Sequence, residues 1–203
     1  EIISLCLLIR KRLLPREHAD LEWTLQEMAF IFTQQERFED AEHVYTELIP
    51  LVQQVHGKSS WQLAGCYNNF AGMLTKEQRF QEAKGLYLST LDMLKGAMKQ
   101  KESGSLAGIL FNLGKICDRL GEYKQAISYF EQCLEMRRKF LPPHHHLLGL
   151  TFFYYGEVVY QSLGRRQEGR SLYEQALRCF QQSLGSDSGM ARETKRILES
   201  IEE

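Results

Sequence analysis

Four short stretches of this 203-residue chain repeat one another, and their period constrains the fold more than any other feature. They are Arg37-Phe38-Glu39-Asp40-Ala41, Arg79-Phe80-Gln81-Glu82-Ala83, Glu122-Tyr123-Lys124-Gln125-Ala126 and Arg165-Arg166-Gln167-Glu168-Gly169. The small residues that end them, Ala41, Ala83, Ala126 and Gly169, stand 42, 43 and 43 residues apart. Four positions on, each repeat has an aromatic: Tyr45, Tyr87, Phe130, Tyr173. Eight on comes an aliphatic (Ile49, Leu91, Leu134, Leu177), and ten on come Leu51, Met93, Met136 and Cys179. These offsets are expected to trace the packed face of a helix. A fixed period of this length marks one small helical or strand unit stacked on copies of itself.

Upstream of each small residue runs a second periodic segment. Leu25-Met28-Ala29-Phe32, Tyr67-Phe70-Ala71-Leu74, Leu110-Leu113-Gly114-Cys117 and Phe153-Gly156-Tyr160 again follow helical spacing. A polar turn such as Thr33–Arg37 or Gly121–Glu122 joins the two helices of a pair. The Ala or Gly lets the helices approach, and the aromatic fills the gap. Loops are expected at His56–Ser60, Glu102–Ser105 and Leu141–His144, where Gly and Pro stop helices and Ser can cap them. With no alternating β-branched run, the chain reads as all-α. Pro50 falls inside the second helix of the first pair and is expected to kink it or end it early. The fourth repeat departs from the rest, with Gly156-Glu157 in place of Leu-Gly and Gly169 in place of Ala, so a slip in packing is expected there.

The expected segments are therefore 1–13, the second helix of a truncated repeat, then repeats at 17–56, 59–101, 103–141 and 144–184, and a cap at 187–203. Met190, Thr194, Ile197, Leu198 and Ile201 give that cap an apolar stripe. The chain begins mid-repeat with Glu rather than Met, so it is expected to be a piece of something longer.

Composition narrows the function classes. With 25 Lys+Arg against 26 Asp+Glu, the chain lacks the cationic surplus of a dedicated nucleic-acid binder or a polybasic membrane anchor. No run approaches the roughly 20 apolar residues of a membrane span. The five cysteines, Cys6, Cys66, Cys117, Cys133 and Cys179, are odd in number and widely spaced, and read as buried thiols of a cytoplasmic, reducing location. There is no Gly-rich phosphate loop, HExxH or GxSxG. His144-His145-His146 reads as a polar loop, since adjacent side chains point apart. No enzyme activity, cofactor or metal is expected.

The residues Leu110, Leu113, Gly114, Cys117, Ala126, Phe130 and Cys133, and in the second repeat Tyr67, Phe70, Ala71, Leu74, Ala83 and Tyr87, resemble the tetratricopeptide repeat pattern. The 42–43-residue period is similar to the kinesin light chain and nephrocystin type. The resemblance covers residues 17–184. It implies a right-handed α-solenoid of stacked antiparallel helix pairs with a C-terminal capping helix, and a concave groove lined by the first helix of each pair. It also implies a scaffold or adaptor that binds a peptide of a partner protein.

Groove positions counted along the first helices are Trp23, Gln26, Glu27, Phe30 and Thr33; Asn68, Asn69, Gly72, Thr75 and Lys76; Phe111, Asn112, Lys115, Asp118 and Arg119; and Tyr154, Tyr155, Val158, Gln161 and Ser162. Asn69 and Asn112 share one repeat position, where peptide-binding members hold a peptide backbone. The alternative is a bond between neighbouring repeats. Lys76, Lys115 and Arg119 read as a local cationic patch, or as solvated charges, and Phe111, Tyr154 and Tyr155 as apolar anchors. Gln26 and Phe30 stand where the chaperone-tail clamps of the family have lysine and asparagine, so that ligand class is not supported. The expected partner is a protein or peptide, acidic with apolar anchors, with no nucleic acid or membrane. The chain itself is expected to be a monomer or to self-associate weakly. The rival reading is a structural solenoid segment that self-associates or assembles a larger complex through another surface.

Overall fold

The computed structural model describes residues 2–15, 18–97 and 103–202. Among them there are helices and no strands. The helices are α1 (Ile2–Leu13), α2 (Ala19–Gln34), α3 (Phe38–His56), α4 (Trp61–Lys76), α5 (Phe80–Ala97), α6 (Ser103–Arg119), α7 (Tyr123–Phe140), α8 (His146–Glu157), α9 (Arg166–Leu184) and α10 (Gly189–Glu202). A π-helical turn, Val158–Ser162, extends α8. The chain divides into two compact units, residues 1–99 and 100–203. In the first, α2 pairs with α3 and α4 with α5, while α1 packs on α2. In the second, α6 pairs with α7 and α8 with α9, while α10 packs on α9.

Two local expectations are corrected. The loop expected over 102–105 is already helix from Ser103, because buried Leu106 and Ala107 draw the first turn of α6 onto the core; Glu102 lies outside the described residues. Of the two outcomes expected at Pro50, the early end does not occur: α3 runs on to His56. The carbonyl that loses its donor is that of Thr46, an exposed residue, so the lost bond does not fall in the core. The segment limits at residues 1, 17, 101 and 203 also lie outside the described residues.

The second helices bury the expected stripe only in part. Offsets 0 and 4 hold: Ala41, Ala83, Ala126 and Gly169 are buried, as are Tyr45, Tyr87, Phe130 and Tyr173. Positions 7 and 11 are buried in all four repeats, whereas of those expected at 8 and 10 only Leu91, Leu134 and Cys179 are buried. Leu48, Thr90, Cys133 and Ala176 fill position 7, and Val52, Leu94, Arg137 and Phe180 position 11. At about 100° per residue, offsets 0, 4, 7 and 11 stay within about 40° of one line, whereas 8 and 10 lie about 80° to either side. Ile49, Leu51, Met93, Met136 and Leu177 are accordingly only half-buried.

Two polar side chains sit in this seam. Thr90 returns its hydroxyl to the Leu86 carbonyl at 2.7 Å, which satisfies it within the helix. Arg137, 5% exposed, donates to the Leu147 carbonyl and the Thr151 hydroxyl at 2.5 Å each and lies 4.9 Å from the Phe111 ring. Burial lowers its pKa. The carbonyl, hydroxyl and π face stabilise the guanidinium in place of a carboxylate.

The departure of the fourth repeat has a specific cause. Ala29 precedes Ala41 by 12 residues, as Ala71 precedes Ala83 and Gly114 precedes Ala126, but Gly156 precedes Gly169 by 13. The extra residue is absorbed in the π turn, where Leu163 N–H reaches back five residues to the Val158 carbonyl (3.2 Å). Gly156, not Glu157, therefore takes the small-residue site: a Cβ there would lie 3.3 Å from Tyr173 Cδ1. The widened turn presses on α9. A Cβ at Gly169 would stand 2.5 Å from Tyr160 Cβ and 2.9 Å from its Cα, which is why this repeat has Gly where the others have Ala.

Candidate peptide-binding faces

The first helices carry the candidate site, and each unit is described by itself. In unit 1, α2 and α4 lie side by side. Trp23 and Phe30, seven residues apart on α2, are each 58% exposed. The Arg10 guanidinium stands 5.6 Å from the Trp23 ring. The equivalent positions of α4 are Gly65 and Gly72, with Asn69 between them and Lys76 beyond. Nothing lies within 4 Å of a Cβ built on Gly65, and only the Tyr87 hydroxyl, at 3.8 Å, on Gly72. Exposed Asn69 accepts from Asn68 Nδ2 at 3.3 Å. Lys76 Nζ donates to Gln34 Oε1 at 3.3 Å. Gln26 is drawn to Glu22 (3.1 Å), whose carboxylate also meets His56 Nε2 at 2.8 Å. The face thus combines two exposed aromatics with two stretches of uncovered helix backbone and one exposed amide.

In unit 2, Phe111 and Tyr154 meet edge to face at 5.5 Å, and Lys115 Nζ lies 4.4 Å over Tyr154. Asn112 is half-buried beside them. Among the described residues neither Asn69 nor Asn112 bonds a neighbouring repeat. Tyr155 does not belong to the face. It is 8% exposed, parallel to Phe130 at 6.1 Å, and donates to Glu131 Oε1 at 3.2 Å. Val158, 1% exposed, is also core. The reason is the extra residue in the fourth repeat: Tyr154, not Tyr155, is equivalent to Asn112, and Tyr155 is equivalent to the buried Leu113.

The cationic character expected of Lys115 and Arg119 is offset. Burial raises the Asp118 carboxyl, while its bond from the Ser162 hydroxyl (3.2 Å) and Arg119 pull it down. Glu157 is raised by burial first and by Asp118 second, against Lys115 and Arg119. Two carboxylates thus counter two cations on this face. A raised folded-state pKa means the folded chain binds more protons than the unfolded one, so this contribution to stability falls as pH rises through the window between the ordinary and the raised value. Glu157→Gln is expected to raise the melting temperature at pH 7. That advantage shrinks on acidification as the wild-type carboxyl takes up its proton, and paired thermal melts from pH 7 to 4 check it.

Four of the thiols are buried, and burial pushes Cys66 up to about 12, so it stays protonated and a poor nucleophile at neutral pH. Cys6 is exposed, contrary to expectation, since α1 packs on α2 along one side only. His145 caps α8, accepting from Leu147 N–H at 3.2 Å, with His146 stacked 4.3 Å away. Among the described residues no cluster of three His, Cys, Asp or Glu side chains could hold a metal, and no helix is long and apolar enough to cross a membrane.

Two family models, each described as tetratricopeptide repeat, match residues 67–139 and 158–188, together just over half of the chain. The chain belongs to the tetratricopeptide repeat family. Proteins built from these repeats mediate protein–protein interactions. Among solved structures, BtubC (BKLC) from P. vanneervenii is similar over 98% of this chain and 80% of that one, with TM-score 0.83 at 20% identity. A putative kinesin light chain from Podosopora anserina covers 88% of this chain and 83% of that one, with TM-score 0.75 at 16% identity. Aspartyl phosphate phosphatase F from Bacillus subtilis covers 98% and 49%, with TM-score 0.80 at 14% identity. These likenesses establish the fold. Among curated proteins, the photosystem I assembly protein Ycf3 of Rippkaea orientalis is 27% identical over 51% of this chain. A clustered mitochondria protein homolog of Candida albicans is 22% identical over 60%. The chain spans 59% and 9% of those two relatives' lengths.

Proposed function

We propose that this tetratricopeptide repeat chain is a non-enzymatic scaffold or adaptor that holds an extended peptide segment of a partner protein on its first-helix faces. One observation carries the reading: exposed Trp23 and Phe30 stand at the repeat positions matched in α4 by Gly65 and Gly72, with Asn69 between the glycines. The absent side chains let a second backbone approach α4 closely. The Asn69 amide offers one donor pair and one acceptor, the complement of a peptide group of any sequence. The aromatics supply rigid apolar anchors of the kind that dominate binding energy. In unit 2, Asn112 and Tyr154 are the corresponding polar and apolar contacts, with Phe111, Lys115 and Arg119 at the rim, while in unit 1 Gln26 and Lys76 flank the α2 and α4 face. The buried thiols, with Cys66, Cys133 and Cys179 pushed up by burial, favour a non-catalytic role in a reducing compartment. Affinity purification with wild type and with Asn69→Ala plus Asn112→Ala tests it. The variant is expected to lose the wild-type partners at an unchanged melting temperature; unchanged capture decides against these faces.

A second reading is favoured by α1. Ile2, Leu5, Leu8, Ile9 and Leu13 are exposed there, and Ile2, Ile3 and Cys6 face Trp23 and Ile31 across a pocket of about 730 Å³. So large an apolar surface suits assembly with another repeat, and one curated relative is named an assembly protein. Light scattering over a concentration series discriminates. Assembly predicts a mass that grows above 23.7 kDa and returns to it in Leu5→Glu with Ile9→Glu; a constant 23.7 kDa decides for the monomeric adaptor.

A further inference from the structure

The second helices carry a pocket that the peptide faces do not use. It measures about 310 Å³ and lies in unit 2 between α7, the start of α8 and α9. Its floor is Leu148 and Phe152, 4% and 7% exposed, and its rim carries Arg138, Arg178 and Gln175. A second hollow of about 510 Å³ shares Arg138, Phe152 and Gln175 with it. The Arg138 guanidinium stands 5.6 Å from the Phe152 ring.

Unit 1 contains the same pocket, occupied differently. There Leu21 and Leu25 form the floor, with Lys11, Glu47 and Pro50 around it. By repeat register Lys11 is equivalent to Arg138, Glu47 to Gln175, and Pro50 to Arg178. Lys11 Nζ is 2.5 Å from Glu47 Oε1, so the chain supplies its own carboxylate. In unit 2 that carboxylate has become an amide and a second guanidinium has been added. Among the described residues no carboxylate pairs with Arg138 or Arg178. The acids nearby are engaged elsewhere: Glu135 holds Lys139 at 2.7 Å, Glu131 accepts from Tyr155, and Glu174 holds Arg170 at 3.2 Å.

The geometry points to a second docking site, independent of the first-helix faces, for a partner peptide in which an acidic residue adjoins an apolar one. The peptide carboxylate takes the place Glu47 fills in unit 1, between two guanidinia suited to bidentate pairing. The neighbouring apolar side chain enters over Phe152 and Leu148, and the Gln175 amide meets the peptide backbone. A bare anion would leave that floor uncovered.

The probe is a fluorescein-labelled peptide, Gly-Glu-Leu-Asp-Phe-Glu-Gly, read by anisotropy against the whole chain, with its Gln/Asn analogue as control. The acidic peptide is expected to bind and the analogue to bind at least roughly tenfold more weakly, as for loss of a partly desolvated ion pair. Gln175→Glu, which restores the internal pair of unit 1, and Arg138→Ala with Arg178→Ala are each expected to weaken binding by a similar factor. Asn69→Ala with Asn112→Ala leaves it unchanged, so failure of the first-helix proposal and failure of this one are separable. Gln175→Glu keeps the test valid if loss of the arginines unsettles the fold. The proposal is overturned if wild type does not bind the acidic peptide, if the amide analogue binds equally, if Gln175→Glu binds like wild type, or if inorganic phosphate competes at the peptide's own concentration.

Discussion

Gly169→Ala is expected to cost about 3 kcal/mol, near the top of the usual range for overpacking, and to lower the melting temperature by on the order of 10 °C. Ala is what the other three repeats have at this position, so sequence comparison alone would rate the change as benign or restoring. The obstacle is backbone: a methyl at 169 meets Tyr160 Cβ at 2.5 Å, Cα at 2.9 Å and N at 3.0 Å. No rotamer change relieves it. Relief requires the π turn to move, and that turn holds the extra residue between Gly156 and Gly169. Gly108→Ala is the control. Nothing lies within 4 Å of its Cβ, so a helical Gly→Ala there gains roughly 0.5–1 kcal/mol. Thermal melts of the two variants should move in opposite directions. Equal shifts would mean that the π turn yields easily and that repeat four is not strained against α9.

Phe130→Ala is expected to cost about 3–5 kcal/mol, because the ring is fully buried and fills the gap left by Gly114. A Cβ on Gly114 would lie 2.7 Å from Phe130 Cε1 and 2.8 Å from Cζ, so Gly114→Ala alone costs about 1–3 kcal/mol by overpacking. The two changes compensate. With the ring gone, the methyl at 114 occupies part of the cavity, and the double variant should be more stable than the sum of the singles by more than about 0.5 kcal/mol. Urea melts of all four proteins give the coupling energy directly. Additivity would show that Phe130 and Gly114 are not the lock between α6 and α7.

The residues show how far the amino-acid order reaches by itself. Ala41, Tyr45 and their repeats, with the apolar positions upstream, made helix pairing and stacking legible, because amphipathic spacing is a local property that survives without coordinates. The buried seam was harder to read. Thr90 and Arg137 occupy it, and a search for apolar residues passed over them to offsets 8 and 10, where only Leu91, Leu134 and Cys179 are buried. The extra residue of repeat four was not legible in the order of residues, because the 43-residue period from Ala126 to Gly169 equals the one before it and sets Gly156-Glu157 against Leu-Gly. Whether it would enter a loop or the helix depended on how Gly169 could meet Tyr160. That choice moved Tyr155 and Val158 into the core and left Tyr154 on the first-helix face.

Charge behaved in the same way. Lys115 and Arg119 look cationic along the chain, yet Asp118 and Glu157 face them in space, whereas Arg138 and Arg178, unremarked in the order of residues, pair with no carboxylate among the described residues. The sequence by itself determined a helical tetratricopeptide repeat chain and the period of its stacking, since both follow from side-chain spacing along one helix. The tertiary structure alone decided which side chains are bare, paired or buried, since that depends on what a neighbouring helix places within a few ångströms.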